Sequence, residues 1–125
     1  MKTILLVDDD RDVLSFLEDS LISFGYNVIA KSDPGPALSV VREGTKVDLV
    51  LTDYAMPGMN GHDFFSEIRR YSPSVPVIIL TGYDTVETYL KSLSLGLTDC
   101  LSKPIRSKDL YRVVKAAMEK PHAFS

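Results

Sequence analysis

Apolar positions along the chain alternate between two kinds of stretch. Short uninterrupted runs occur at Ile4-Leu5-Leu6-Val7, Asn27 to Ala30, Leu49 to Thr52 and Val77 to Leu80, with a weaker fifth around Cys100-Leu101. They lack the polar alternation of a half-exposed strand and suit strands buried on both faces. Between them the spacing becomes helical. Val13, Leu14, Leu17, Leu21 and Phe24 share one face, as do Phe64, Phe65 and Ile68, and again Val86, Leu90, Leu93 and Leu97. Leu110, Val113, Val114 and Ala117 keep the i, i+3, i+4, i+7 rhythm without a gap. Gly25 and Gly44 are placed to end the first two helices, Pro34 and Pro36 suit only the first turn of the second, and Ser107 is placed to cap the last. The order βαβαβαβαβα predicts an α/β fold, a doubly wound parallel sheet with helices on both faces, in a single domain. Ligands in such sheets bind beyond the carboxyl ends of the strands, so the residues at those ends carry the functional question.

Composition narrows the class without changing the fold. At 125 residues there is room for one core and not for two. With 45% hydrophobic and 25% charged residues, disorder is not expected. A net charge of −3 argues against a general binder of nucleic acid or of anionic membranes. The single cysteine, Cys100, rules out an internal disulfide and favours a reducing compartment. Asp8-Asp9-Asp10 cut the first apolar run far below the length of a signal segment or membrane span, so a cytoplasmic location is expected.

The strand ends are rich in charge. The first ends in Asp8-Asp9-Asp10, the third in Asp53 followed by Tyr54-Ala55-Met56-Pro57-Gly58, the fourth in Thr81-Gly82, and the fifth is followed by Lys103-Pro104. Carboxylates sharing a cleft repel one another, and a hard divalent cation offsets that repulsion. Mg²⁺ favours one or two carboxylates together with waters and phosphate oxygens. A lysine across the cleft adds positive charge, a hydroxyl can donate to a phosphoryl oxygen, and an aspartate beside the metal can attack phosphorus to give an acyl phosphate. Single aspartates after strands also cap helices, and Asp10 is open to that simpler reading.

In this order the motifs Leu6-Val7-Asp8-Asp9-Asp10, Asp53-Tyr54-Ala55-Met56-Pro57-Gly58-Met59-Asn60-Gly61, Leu80-Thr81-Gly82-Tyr83 and Leu101-Ser102-Lys103-Pro104 resemble the receiver domains of two-component response regulators, the CheY-like superfamily. The resemblance runs from about Lys2 to Glu119 and implies a flavodoxin-like (βα)5 sheet of order 2-1-3-4-5. It implies a receiver domain over residues 1–120 and a short tail over 121–125. Asp53 then resembles the phosphoacceptor, and Asp8, Asp9, Asp53 and the Ala55 backbone carbonyl resemble the ligands of Mg²⁺ or Mn²⁺. Thr81 resembles the switch hydroxyl and Lys103 its charge partner, with a cis Lys103-Pro104 bond aiming the lysine into the cleft. The implied donor is a sensor histidine kinase or phosphotransfer protein. The implied signalling surface is the face of the fourth helix, fifth strand and fifth helix, meeting a downstream protein that the sequence does not name. A signalling receiver that assists its own phosphorylation is therefore expected, rather than a conventional enzyme, as a monomer or weak dimer.

One position departs from the family pattern, and a few others carry separate expectations. Cys100 occupies the place of a switch aromatic and is expected to be a small buried hydrophobe without a redox role. Tyr83 flanks the cleft where the family tunes hydrolysis, and is expected to shield the phosphoryl group. Tyr89 lies off the core stripe of its helix, either as an ordinary surface tyrosine or as an anchor for a partner. His62 is expected to be a solvated turn residue. Arg106, Lys108, Arg112, Lys115 and Lys120 are expected to form the solvated face of the last helix. Three other readings fit less well. A pseudo-receiver would have lost members of the acidic and basic set. A dehalogenase-type phosphatase would carry a cap domain, for which 125 residues leave no room. A flavodoxin would have a neutral phosphate loop after the first strand, and a P-loop is absent. No output domain is expected after the last helix, so the chain reads as a stand-alone receiver or a part of a longer regulator.

Overall fold

A computed structural model describes residues 1–82 and 99–119. Five parallel strands form one sheet: β1 (Thr3–Val7), β2 (Asn27–Lys31), β3 (Leu49–Asp53), β4 (Val77–Thr81) and β5 (Asp99–Ser102), in the order β2-β1-β3-β4-β5. The described helices are α1 (Arg11–Ser23), α2 (Pro34–Arg42), α3 (Gly61–Tyr71) and α4 (Ser107–Glu119), the last of the predicted helices. The helix predicted over Val86 to Leu97, with Tyr83 and Tyr89, lies outside the described residues.

The continuous apolar runs conceal a period of two, because both faces of the sheet are covered. Leu5, Val7, Val50, Val77 and Ile79 pack with Ala37, Leu38 and Val41 of α2 and Phe64, Phe65 and Ile68 of α3. Their neighbours Ile4, Leu6, Leu49, Leu51, Ile78 and Leu80 pack with Leu17 and Leu21 of α1 and Leu110, Val113, Val114 and Ala117 of α4. Strands β1, β3 and β4 are buried almost throughout, whereas β2, at the sheet edge, is only half-buried. The expectation of burial on both faces therefore fails for β2, because an edge strand has a neighbour on one side only.

Local signals set the helix limits. The Asp10 side chain accepts from the backbone N–H groups of Asp12 and Val13, which fixes the start of α1. Gly25 and Gly44 take left-handed φ values of 98° and 84° just past α1 and α2, a conformation open to glycine without cost. Pro34 begins α2, where its missing N–H is not needed. Ser107 is the first residue of α4, not its cap; the first helical bond runs from Leu110 N–H to the Arg106 carbonyl, so the flanking position is Arg106. Arg106, Lys108, Arg112 and Lys115 are exposed, as expected, and Lys120 lies outside the described residues.

Candidate functional site

Strand register brings the charged residues together. Val7 pairs with Thr52, Asp53 with Leu80, and Thr81 with Ser102. Asp8, Asp53, Thr81 and Lys103 therefore stand side by side at the carboxyl edge of β1, β3, β4 and β5. Backbone bonds beyond the strands hold this edge: Tyr54 N–H donates to Leu80 O at 2.9 Å and Lys103 N–H to Thr81 O at 2.8 Å. The Lys103-Pro104 peptide is cis.

Asp8, Asp53 and Thr81 are buried and Asp9 is exposed. Lys103 Nζ donates to Asp8 Oδ2 at 2.8 Å and lies 3.1 Å from Asp53 Oδ1. The other oxygen of Asp8 accepts from Asp10 N–H at 2.9 Å. One ammonium thus serves two buried carboxylates. Carboxylate oxygens of Asp8, Asp9 and Asp53 lie within 4.8 Å of one another, the one such acidic cluster among the described residues.

This arrangement perturbs both charges. Burial, then the neighbouring Asp8 charge, pushes the Asp53 carboxyl up to about 6, although the lysine pulls the other way. Burial by itself would lower the Lys103 ammonium. The hydrogen bond to Asp8 and the charges of Asp53 and Asp8 outweigh it and hold the group above the ordinary lysine value. The lysine alone does not compensate the cluster. The donor set is all oxygen, has an exposed member, and retains uncompensated negative charge, so it fits a hydrated hard cation such as Mg²⁺.

The response regulator receiver domain family model matches residues 4–115. The chain belongs to that family. Among curated proteins it is 38% identical to the transcriptional regulatory protein ZraR of Escherichia coli K12 over 120 residues, covering 96% of this chain and 27% of ZraR. It is 37% identical to the transcriptional regulatory protein CpxR of Klebsiella pneumoniae, covering 98% of this chain and 51% of CpxR. The chain therefore spans about a quarter to a half of the length of these relatives. A receiver domain structure from Clostridium thermocellum superimposes with a TM-score of 0.88 at 29% identity, over 94% of each chain. This receiver fold is that of two-component signalling, and none of its described helices is long and apolar enough to cross a membrane.

Other expected positions are distributed as follows. Ala55 is exposed in the loop after β3. Cys100, expected to be buried, is only half-buried, packed against the cluster formed with α2 and α3 and in register with Ile79. His62 corrects the reading of a solvated turn: it is buried, and its ring packs edge-to-face on Tyr54 with centroids 4.8 Å apart. The first turn of α3 faces the sheet, and that orientation depends on tertiary packing. Two members of the Asp53–Gly61 motif were given no role by the sequence. Asn60 caps α3 by accepting from Asp63 N–H at 2.9 Å, and Gly61 seats that helix against the loop after Asp53. A cap residue followed by glycine at the head of a helix was the available signal.

Proposed function

We propose that Asp53 accepts a phosphoryl group from a phosphohistidine of a sensor histidine kinase or phosphotransfer protein, in a reaction that requires Mg²⁺ or Mn²⁺. The observation that carries this reading is the single Lys103 ammonium bridging two buried carboxylates, beside an acidic cluster that fits a hard cation. A carboxylate oxygen of Asp53 attacks phosphorus; the O–P bond forms as the N–P bond to the donor imidazole breaks, and the electron pair leaves with the imidazole. Asp8, Asp9, Asp53 and the Ala55 carbonyl would hold the metal, which would neutralise carboxylate and phosphoryl charge. Lys103 supplies the remaining positive charge to the phosphoryl oxygens, and the Thr81 hydroxyl, at the neighbouring strand end, moves onto them.

The added charge of about −1.5 to −2 biases the surface of the predicted fourth helix, β5 and α4 toward a downstream protein. Tyr83 shields the phosphoryl group from water and Tyr89 anchors the partner. The receiver unit ends near residue 120. Beside Lys103 an apolar groove of about 270 Å³ between α1 and the loop after β5, lined by Val13, Phe16, Leu17, Pro104 and Ile105, receives the donor protein. The reason is Lys103, which lines this groove and also contacts Asp8 and Asp53, so a protein seated here lies next to the phosphoacceptor.

Incubation with Mg²⁺ and acetyl phosphate, followed by intact mass, tests the reading. One phosphoryl group is expected, lost in Asp53→Asn and in EDTA. No modification from either acetyl phosphate or a phosphohistidine donor would overturn it in favour of a constitutive interaction module.

A further inference from the structure

The loop after β3 is gripped on both sides of Ala55. On one side, Tyr54 O accepts from Gly61 N–H at 2.7 Å, and the Tyr54 ring meets His62. On the other, Met56 is buried in the core, its sulfur 3.9 Å from the Thr52 hydroxyl, which also lies 3.1 Å from Asp53 O. Ala55 is the exposed link between two anchored residues. With only two soft dihedrals per residue, its carbonyl has little freedom once both neighbours are held.

Gly61 makes the first anchor possible. A Cβ at this position would stand 3.0 Å from Tyr54 Cα, 3.2 Å from Asp53 O and 3.2 Å from Ile79 Cδ1. Two of those atoms are backbone of the phosphoacceptor segment itself, so they can give way only by shifting the loop. Gly61 does not have a left-handed φ, so contact alone, and not backbone conformation, opposes a side chain there.

We propose that Gly61 is a positioning residue for the metal site: its lack of a side chain lets the first turn of α3 close on Tyr54, which orients the Ala55 carbonyl for Mg²⁺. The inference rests on the metal-ligand reading above and extends it to a residue that touches no metal. Mg²⁺ demands near-ideal octahedral geometry with short bonds, whereas Ca²⁺ accepts longer bonds and variable coordination. A loop displaced by a few tenths of an ångström should therefore cost Mg²⁺ affinity much more than Ca²⁺ affinity.

The test is calorimetric titration of Mg²⁺ and of Ca²⁺ into the wild type, Gly61→Ala, His62→Leu and Val114→Ala, each confirmed folded by circular dichroism. His62→Leu removes the ring contact with Tyr54 while keeping the site apolar, and serves if Gly61→Ala does not fold. Val114→Ala weakens the core on the opposite face of the sheet and reports the effect of lost stability alone. In Gly61→Ala the Mg²⁺ dissociation constant is expected to rise about tenfold or more, with Ca²⁺ changed by less than about threefold. His62→Leu is expected to move in the same direction, and Val114→Ala to match the wild type. Unchanged Mg²⁺ affinity in the folded loop variants, equal weakening for both cations, or equal weakening in Val114→Ala would overturn the inference. A wild type that binds neither cation would instead overturn the metal-ligand reading itself, and this inference with it.

Discussion

Replacing Asp53 with Asn should make the metal-free protein more stable, although it removes a partner of Lys103. Asp53 is held between a buried like charge and one shared ammonium, and its carboxyl rises from 3.8 to about 6. That displacement is already net of the attraction to Lys103. Two units correspond to about 3 kcal/mol at roughly 1.4 kcal/mol per unit. Allowing for solvent screening, the ionised carboxylate costs on the order of 2 kcal/mol. Asparagine is close in shape to the neutral acid and avoids that cost. The sign follows from linkage: a carboxyl whose folded value is raised contributes stability that is fully present below its unfolded value and is lost as pH rises through the folded one. The advantage of Asp53→Asn should therefore be near zero at about pH 4, open between about pH 4 and 6, and reach its full size above about pH 7. In a domain of this length it amounts to a rise in Tm on the order of 5–10 °C. Thermal unfolding in EDTA across that pH range measures it, with a second series in saturating Mg²⁺. The cation should stabilise the wild type more than the variant and narrow the gap, because it binds the folded state through the group the variant lacks. A variant no more stable than the wild type near neutral pH in EDTA, or a gap that does not grow with pH, would refute the reasoning.

Three further outcomes follow from other parts of the structure. Phe16 is 46% exposed on the groove beside Lys103, so Phe16→Ala should slow transfer from a phosphohistidine protein about tenfold or more while leaving the acetyl phosphate rate unchanged; equal slowing of both would contradict the docking assignment. Asp10 spends its carboxylate on two N–H groups of α1, so Asp10→Ala should lose about 0.5–2 kcal/mol in urea unfolding yet still be phosphorylated under conditions where it is folded. Leu110 is fully buried between α4 and the sheet, and Leu110→Ala should lower the urea midpoint by the equivalent of about 2–5 kcal/mol.

The three neighbouring aspartates show how far a sequence carries. Their position after the first strand was legible, because an apolar run and its polar stop are local features. So was the option that Asp10 caps the first helix, which the structure bears out, but the partners of Asp8 and Asp9 were not legible. Asp10 faces back onto its own helix, Asp8 is buried with both oxygens engaged, and Asp9 is exposed with its carboxylate still within 4.8 Å of those of Asp8 and Asp53. His62 is a similar case: its place at the head of α3 was evident, but its burial against Tyr54 depends on how that helix sits on the sheet. For α4 the apolar rhythm identified every buried residue, while the flanking position falls one residue earlier than expected, at Arg106.

The described elements, their apolar stripes and the residues placed at the strand ends were determined by sequence alone, because strand runs, helical periodicity and the glycine and proline stops act over a few residues. The resemblance of four short motifs in order was also carried by sequence, and with it the family. Only the tertiary structure decided the electrostatics. Lys103 reaches Asp8 across 95 positions of chain, and the elevated Asp53 carboxyl depends on burial and on that long-range neighbour. The approach of Gly61 to the Asp53–Tyr54 backbone is likewise a product of packing α3 against the sheet edge. Charge coupling and steric closure depend on distance in space, and spacing along the chain does not encode that distance until the sheet register aligns the strand ends.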